Sequence, residues 1–340
     1  MTSSSGGPLR IGVLGAARIA RVFVEAVRPS AKVTVTAVAS RDGERAAAFA
    51  GELGIARVHA SYDALFADPD IDAVYVPLPN NLHAHWSIRA VSAGKHVLCE
   101  KPLATNSVEA RAMFDAARKN GVYVVEAYPY RAQPQTLKVR ELLAAGAIGR
   151  IQLIQASFGF PLTDAANIRM DPSLAGGALM DAGSYPVSFV RTMTGAAPSR
   201  VSALARWGHT GVDVATMATL EHPDGLLAQI SCSFTTARHR HAFIAGDAGS
   251  ISTTYFNDTG PAFPPLVDVR RGSGWDAARE VIETEARAGF LAEAESFHDL
   301  VRFGWEGWTG ATPDESIDIA KTLDALAASS RQGVPVEVRQ

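Results

Sequence analysis

Three side chains of this sequence carry groups that can exchange a proton with a bound molecule: the ammonium of Lys101, the carboxylate of Asp181 and the phenol of Tyr185. Lys101 belongs to the triplet Glu100-Lys101-Pro102, which ends the apolar run 96–99 abruptly. Proline at the third position fixes the turn and restricts the preceding lysine to an extended conformation, which aims its side chain beyond the strand. Taken alone, the triplet fits a surface ion pair as well as a site.

The spacing of Asp181 and Tyr185 is that of two residues one helical turn apart, on one face. Pro186 follows directly, and a helix tolerates proline only in its first turn. We therefore expect the helix to begin near Gly183, with Tyr185 in the first turn, Asp181 just outside it and Gly195 as its stop. A lone tyrosine in such a place is commonly a half-buried core residue.

A glycine turn follows the first apolar run, with Gly15, Ala17 and Ala20 at the three positions of the dinucleotide-binding turn G-x-G-x-x-G/A. Alanine at the second position makes the motif weak by itself, but it stands at the first strand-to-helix junction. The helix N-terminus that begins with Arg18 and Ile19 would offer free N–H groups to a pyrophosphate. An ordinary strand-to-helix turn is the alternative.

The residues at the end of the second strand should decide whether NAD or NADP is bound. The chain reads Ala39-Ser40-Arg41 there. NAD binders place an acidic residue there for the ribose hydroxyls, whereas a hydroxyl and a guanidinium suit a 2′-phosphate. Asp42 comes next and could turn inward instead. Ser40 and Arg41 therefore predict NADP(H) as the preferred cofactor, with NAD(H) possible.

Strand-like and helix-like segments alternate as far as residue 131, which predicts βαβ units and an N-terminal Rossmann domain with a doubly wound parallel sheet over residues 8–131. In this count the run that ends in Glu100 is the fifth strand, or the fourth. Beyond residue 149, longer and more often alternating strands predict a mostly antiparallel sheet. Residues 132–340 are thus expected to form an α+β domain, whose last helix packs back near the first domain.

The composition of the 340 residues excludes several classes of protein. The chain is 47% hydrophobic and 20% charged with a net charge of -3, so it has no field to attract nucleic acid or an anionic membrane. No apolar stretch is long enough to span a membrane. The first eight residues are expected to be a disordered tail rather than a signal peptide. Cys99 and Cys232 are expected to be buried thiols, which predicts a cytoplasmic location.

No metal site is expected from the histidines. His83 and His85 are two residues apart, within or leading into a helix, and so face different directions. The stretch Arg238 to His241 alternates arginine with histidine. Solvated or loop histidines suit both stretches better than metal ligands.

Together these motifs resemble those of the Gfo/Idh/MocA family of NAD(P)-dependent oxidoreductases. The family's Glu-Lys-Pro at a strand end matches Glu100-Lys101-Pro102, and its glycine pair followed by Asp, Gly and His or Tyr matches residues 176–185. The stretch "PLPNNLHAHW" over residues 77–86 looks like the family loop beside the nicotinamide. The resemblance covers essentially the whole chain.

The resemblance implies a Rossmann domain followed by a domain with a large open sheet that is often a dimer surface. A homodimer or homotetramer through the C-terminal sheet is therefore expected, since an exposed sheet must be covered. The resemblance also implies a set of cofactor contacts beyond the glycine turn and the second strand: Leu78, Pro79, Asn81, His83, Glu100, Lys101 and Arg131.

By resemblance, Tyr185 is the proton donor or acceptor, Lys101 tunes it and binds the reacting oxygen, and Asp181 orients a substrate hydroxyl or Lys101. A free tyrosine titrates near ~10, and a nearby ammonium favours its phenolate. Lys101 and Tyr185 could exchange roles. The implied substrate is a sugar or sugar-like polyol, and Phe158 and Phe160 could shape the far wall of its site. A cofactor-sensing regulator and a redox-assisted glycosidase of the same superfamily are the alternatives.

Overall fold

The computed structural model describes residues 7–339, so the predicted tail lies outside the described residues up to residue 6. The chain folds into two compact units. The first comprises residues 7–104, 108–132 and 288–313, and the second comprises residues 105–107, 133–287 and 314–339. The predicted boundary at residues 131/132 stays a prediction, and the first unit takes in a later segment that the sequence analysis gave to the second domain.

The first unit contains a six-stranded parallel sheet in the order β3-β2-β1-β4-β5-β6, which confirms the predicted doubly wound architecture. Its strands are β1 Leu9–Leu14, β2 Val33–Ala39, β3 Arg57–His59, β4 Ala73–Val76, β5 His96–Glu100 and β6 Val124–Ala127. Its helices are α1 Arg18–Val27, α2 Gly43–Leu53, α3 Tyr62–Phe66, α4 His83–Ser92, α5 Ser107–Asn120 and α8 Gly289–Phe303, with the first residue of α5 counted in the second unit.

The strand order reverses between β1 and β4, and ligands of such sheets bind beyond the carboxyl ends of the strands at this point. Beneath it, Phe23 of α1 stacks on Tyr75 of β4 with ring centroids 4.1 Å apart and meets Phe290 of α8 edge-on at 6.4 Å. All three rings are buried. This packing fixes α1 against the sheet and so fixes the turn that precedes α1.

The second unit contains a nine-stranded sheet in the order β14-β13-β12-β11-β7-β10-β9-β8-β15, antiparallel except where β7 pairs with β10. Its strands are β7 Ile151–Gly159, β8 Arg200–Trp207, β9 Asp213–Glu221, β10 Leu227–Ser233, β11 His239–Gly246, β12 Gly249–Thr253, β13 Leu266–Arg271, β14 Ala278–Glu283 and β15 Val336–Glu337. Its further helices are α6 Pro134–Ala144, α7 Ser184–Thr194 and α9 Pro313–Gln332, whose first residue is counted in the first unit.

One face of this sheet is covered by helices of its own unit. Helix α7 packs on β7 and β10, α6 packs on β13, and the Ser329 hydroxyl of α9 accepts a hydrogen bond from Ala203 N on β8. On β8 to β10, residues that point inward are buried while alternate residues are exposed, as a half-covered antiparallel sheet requires. Within residues 7–339 we find no helix with the length and apolar character needed to cross a bilayer.

Candidate active site

The glycine turn after β1 has the geometry that a dinucleotide requires. Gly15 has a φ of +86°, a region that favours glycine, and its N–H donates to Ala39 O at 2.6 Å. A Cβ at this position would lie 3.2 Å from Leu78 Cδ2, on the loop that follows β4. The turn therefore brings the ends of β1, β2 and β4 together at the switch point.

The first turn of α1 is left without a side-chain cap. Its N-cap residue, Ala17, has an extended backbone and no oxygen to accept from the helix, and no acidic residue stands in the first turn. The unused N–H groups and the positive end of the helix dipole suit a pyrophosphate. The residues present thus fit the phosphate groups of a dinucleotide.

The structure shows what the Asp42 side chain, which follows β2, contacts. The Asp42 carboxylate caps α2, accepting from Arg45 N at 3.0 Å, and its own N–H donates to Ser40 Oγ at 3.3 Å. Arg41 is exposed beside this turn. The Asp42 carboxylate therefore caps α2, and the Ser40 hydroxyl and the Arg41 guanidinium lie at the end of β2.

A cleft of about 340 Å³ opens beside the glycine turn. It is lined by Ala16, Ala17, Arg18, Arg21, Arg45, Ala48, Phe49 and Glu52. Arg45 Nη2 donates to Ala16 O at 3.0 Å, which ties α2 to the turn. Sequence reasoning missed Arg45, although its spacing of four from Arg41 is the signal that could have found it.

The triplet that contains Lys101 lies at the carboxyl end of β5, which is the fifth strand as predicted. Glu100 is buried and accepts a hydrogen bond from Tyr75 OH at 2.6 Å. The Lys101–Pro102 peptide bond is cis, and Leu103 N beyond it donates to Glu126 Oε1 at 2.9 Å. These bonds hold both sides of Lys101 to the sheet.

His83 is not the solvated or loop histidine that the sequence analysis preferred. It is the first residue of α4 and fully buried, with Nδ1 2.8 Å from Pro102 O and Nε2 2.8 Å from Leu78 O. Burial lowers the pKa of the His83 imidazole, although the two carbonyls oppose that shift. His83 thus links the loop after β4 to the loop that follows Lys101, while His85 is exposed as expected.

The remaining predicted cofactor residues occupy the same edge of the first unit. Leu78 and Pro79 follow β4 and are half-buried, and Asn81 is exposed in the short turn before α4. Arg131 is buried in the turn after β6, with Tyr128 and Tyr130 buried beside it. All of these residues follow the carboxyl ends of β4 and β6, the two strands that flank β5.

A buried acid on α8 was not anticipated. Glu293 is 1% exposed. Burial raises the pKa of the Glu293 carboxyl well above its usual range, the charge of Glu100 adds to this, and the Tyr128 N–H opposes it. Burial therefore favours the neutral form of Glu293.

In the second unit, Asp181 lies inside a helical turn rather than just outside one, which corrects the sequence analysis. Residues Leu179–Gly183 form one wide turn of π-helix that runs directly into α7. Pro186 has no N–H to donate back, so a wider turn before it loses no hydrogen bond there. Tyr185 is in the first turn of α7, which ends at Gly195, as predicted.

The glycine pair before this turn makes room for neighbouring backbone and a buried acid. A Cβ on Gly176 would lie 2.4 Å from Arg169 O, and Gly177 has a φ of +117° beside Asp213. Asp213 accepts from Leu179 N at 2.7 Å, and burial raises the pKa of its carboxyl. The sequence pattern gave no sign of Asp213, which reaches the turn from β9.

Asp181 is largely buried and forms an ion pair with Arg169, whose Nε lies 2.7 Å from Asp181 Oδ2. Arg169 comes from the short turn Ile168–Met170 between β7 and the π-helical turn. The carboxylate is therefore held in one orientation by its partner.

Tyr185 is 5% exposed, and groups far away in sequence surround it. Its hydroxyl accepts from Asn257 Nδ2 at 3.0 Å, and Phe158 meets its ring edge-on at 5.4 Å. The guanidinium carbon of Arg240 lies 3.9 Å from the centroid of the same ring. Sequence reasoning missed Arg240 and Asn257 because only strand pairing brings them to α7.

Both cysteines are buried thiols. Burial raises the pKa of Cys99 and of Cys232 well above the usual range, so both stay protonated. Over residues 7–339, no three side chains of His, Cys, Asp or Glu lie close enough together to hold a metal ion.

Comparisons with known proteins agree with this architecture. Residues 9–128 match the model of an oxidoreductase family with an NAD-binding Rossmann fold, GFO_IDH_MocA, and residues 136–252 match the GFO/IDH/MocA C-terminal domain. The chain is 37% identical over 342 residues to D-xylose 1-dehydrogenase (NADP(+)) 2 of Haloferax volcanii, covering 97% of this chain and 100% of that protein.

Two further relatives carry different names. Trans-1,2-dihydrobenzene-1,2-diol dehydrogenase of Mus musculus is 36% identical over 71% of this chain and 73% of its own length. A 3-ketoreductase from Actinomadura kijaniata, solved in complex with NADP and TDP-benzene, is 32% identical with a TM-score of 0.86, covering 95% of this chain and 98% of its own. The chain thus belongs to the Gfo/Idh/MocA family of NAD(P)-dependent oxidoreductases.

Proposed function

We propose that this protein is an NADP(H)-dependent oxidoreductase that transfers a hydride between the nicotinamide and a carbinol or carbonyl carbon of a sugar or sugar-like cyclic polyol. The observation that carries the proposal is the setting of Tyr185, a buried phenol held from two sides and placed one turn after the Asp181 carboxylate. A buried core tyrosine also needs a hydrogen-bond partner, but here the bond is donated to the phenol oxygen and a guanidinium lies on the ring face, and both favour the phenolate.

When bound, the nicotinamide gives or accepts the hydride. Loss of hydride from a carbinol carbon requires loss of the hydroxyl proton, so the protein must hold a group that takes it. Tyr185 Oη takes this proton in oxidation and gives it back in reduction. Lys101 Nζ holds the reacting oxygen and favours the phenolate of Tyr185. Asp181, fixed by Arg169, accepts a hydrogen bond from a neighbouring substrate hydroxyl.

The preference for NADP(H) rests on the end of β2. Ser40 and Arg41 would bind the 2′-phosphate, because the acidic neighbour Asp42 is already used as the cap of α2. Arg45, at the cleft beside the glycine turn, adds a third polar group to this end of the site. The names of the xylose dehydrogenase and of the complex of the 3-ketoreductase, both with NADP, support this choice.

The loops that follow β4, β5 and β6 would hold the nicotinamide end, through Leu78, Pro79, Asn81 and Arg131. His83 has both ring nitrogens against carbonyl oxygens, so we propose that it shapes two of these loops instead of contacting the cofactor. Glu100 accepts a hydrogen bond from Tyr75, and we propose that it likewise positions Lys101 instead of contacting the cofactor.

The sugar class follows from the groups available. One ammonium, one carboxylate and one phenol suit a ligand with several hydroxyls. The relatives named for xylose and dihydrobenzenediol share such a ligand, a small molecule with adjacent hydroxyl groups. An aldose is therefore our first candidate, with a cyclic diol second.

We also propose a homodimer or homotetramer through the nine-stranded sheet, in a reducing cytoplasmic setting that keeps both thiols free. Leu204 on β8 and Met217 on β9 are paired across the strands and are 77% and 69% exposed. Apolar side chains in a row on an open sheet face mark a surface for association. Replacing both residues with Asp should lower the mass measured by light scattering.

The direct test is an assay of purified protein by nicotinamide absorbance with D-xylose, other aldoses, inositols, cyclic diols and keto-sugars. We expect NADP(+) reduction with at least one aldose or cyclic diol and slower turnover with NAD(+). Tight dinucleotide binding without turnover on any member of the panel would instead indicate a sensor. Cleavage of a glycoside with no net change in the cofactor would indicate a glycosidase.

A further inference from the structure

The Tyr185 ring lies against a buried cation that belongs to its own unit. Arg240 of β11 is 4% exposed, and its guanidinium carbon lies 3.9 Å from the centroid of the Tyr185 ring. Phe158 and Tyr255 contribute two further rings, with centroids 4.9 Å and 4.7 Å from the same carbon. An aromatic cage of this kind holds the guanidinium in place and shields it from water, which strengthens its effect on the ring.

The same guanidinium reaches the phenol oxygen through one amide. Arg240 Nη1 donates to Asn257 Oδ1 at 3.2 Å, and Asn257 Nδ2 donates to Tyr185 OH at 3.0 Å. An arginine can only donate, so it fixes the oxygen of the amide on its own side and turns the NH₂ group toward the phenol. The bond from Asn257 takes a lone pair of the phenol oxygen and not its proton.

We infer that Arg240 and Asn257 are positioning residues that favour the phenolate of Tyr185 and so set the pH range in which it accepts a proton. A positive charge on the ring face and a hydrogen bond donated to the oxygen both stabilise the anion relative to the neutral phenol. This inference rests on the proposed function and adds to it a second cation, supplied by β11, besides Lys101.

Other ionisable groups lie on the elements packed around this cluster: Asp181, Cys232, His239, His241, Tyr255 and Asp258. The two histidines flank Arg240 on β11 and so point to the opposite face of the strand. The Tyr255 hydroxyl donates to Ser157 O, and Asp258 is exposed.

The two remaining groups do not supply a cation either. The Asp181 carboxylate is neutralised by Arg169, and burial raises the pKa of the Cys232 thiol, which therefore stays uncharged. The charge that faces the phenol from its own unit is thus that of Arg240.

The test uses the ionisation of Tyr185 itself, which needs no substrate. Tyrosinate absorbance is titrated in the full-length protein and in Tyr185→Phe, and the difference gives the midpoint for Tyr185. We expect Arg240→Met to raise this midpoint by about one pH unit, Arg240→Lys to restore most of it, and Asn257→Leu to raise it by less. Arg238→Met is the matched control, since it removes an exposed arginine of the same stretch and should leave the midpoint unchanged.

The second measurement is the pH profile of kcat/KM for D-xylose oxidation with NADP(+), in which the rise should move to higher pH by the same amount. Should Arg240→Met fail to fold, Arg240→Lys and Asn257→Leu decide the question. A lower rate with an unmoved midpoint would overturn the inference and leave Arg240 a packing residue. If the unaltered protein turns over no member of the substrate panel, the proposed function fails instead. If Tyr185→Phe keeps full turnover, only the role of Tyr185 in that function fails, whatever the titration shows.

Discussion

The proposed cofactor side and the proposed proton-transfer side of this molecule are built in different ways. In the first unit, the proposed phosphate-binding features are made by residues a few positions apart, as in the turn from Gly15 to Arg18 or the Ser40–Arg45 stretch that caps its own helix. In the second unit, the surroundings of Tyr185 come from β7, β11 and the segment after β12. Features of the first kind can be read along the chain, and features of the second kind appear only once strands pair.

The largest effects should come from breaking the proton-transfer side while leaving the cofactor side intact. We expect Tyr185→Phe and Lys101→Met each to lower kcat by roughly 10²–10⁴-fold, the usual scale for loss of a general acid or base. The dissociation constant for NADPH should barely change in Tyr185→Phe, because the phosphate-binding turn lies in the other unit. Stopped-flow turnover and fluorescence titration of NADPH measure the two quantities, and normal turnover of Tyr185→Phe would remove it from the mechanism.

The reverse experiment breaks the cofactor side. Arg41→Ala should raise KM for NADP(H) about 10- to 100-fold, since a charge-assisted bond to phosphate is lost, and should change KM for NAD(H) little. Initial rates with both cofactors give the ratio. Arg118→Ala, at an exposed ion pair on α5, is the control and should leave both constants alone. Equal effects of Arg41→Ala on the two cofactors would contradict the assignment.

The sequence predicted the local features of the first unit well. The alternation of strands and helices and the position of Glu100 at the end of β5 were correct, although β3 and α3 were not anticipated, and in the second unit the stop of α7 at Gly195 was correct. Backbone rules suffice for these, because a positive φ after a helix calls for glycine and an apolar alternation calls for a strand.

Contacts that depend on tertiary structure could not be predicted in this way. His83 was misjudged because its partners, the carbonyls of Leu78 and Pro102, carry no side-chain signature. The π-helical turn at Asp181 depends on Asp213, which arrives from β9. Arg240 looked like one of two arginines in a solvated stretch, and only the register of β11 on β7 turns it inward against Phe158.

A third prediction concerns Glu293, the buried acid of α8. The pKa of Glu293 is raised in the folded state, so the cost of keeping it neutral grows as pH rises above its unfolded value of about 4.3. Glu293→Gln should therefore gain about 1 kcal/mol or more in unfolding free energy relative to the unaltered protein at about pH 8, and less near pH 5. Urea denaturation at both values measures this.

Glu306→Gln, at an exposed position, is the control for that experiment and should show no pH-dependent difference. A gain for Glu293→Gln that is the same at both pH values would mean that Glu293 is not the group that loses its proton on unfolding.

The smallest expected effect tests whether the Asp42 carboxylate caps α2 or binds the ribose of the cofactor. Asp42→Ala should cost about 1 kcal/mol of stability through the loss of its bond to Arg45 N, with the ratio of KM for NADP(H) to KM for NAD(H) unchanged. Thermal unfolding and cofactor kinetics measure the two effects. A selective loss of NAD(H) binding with no change in stability would show that the carboxylate turns toward the ribose instead.

We propose above all that Lys101 and Tyr185 act on the same reacting oxygen. Single-turnover rates of hydride transfer from D-xylose to NADP(+) in Lys101→Met, Tyr185→Phe and the double variant test it most directly. Two groups that work as one unit should give a double variant hardly slower than the worse single one. If the losses of the two single variants multiply in full in the double variant, the groups act independently and the account is contradicted.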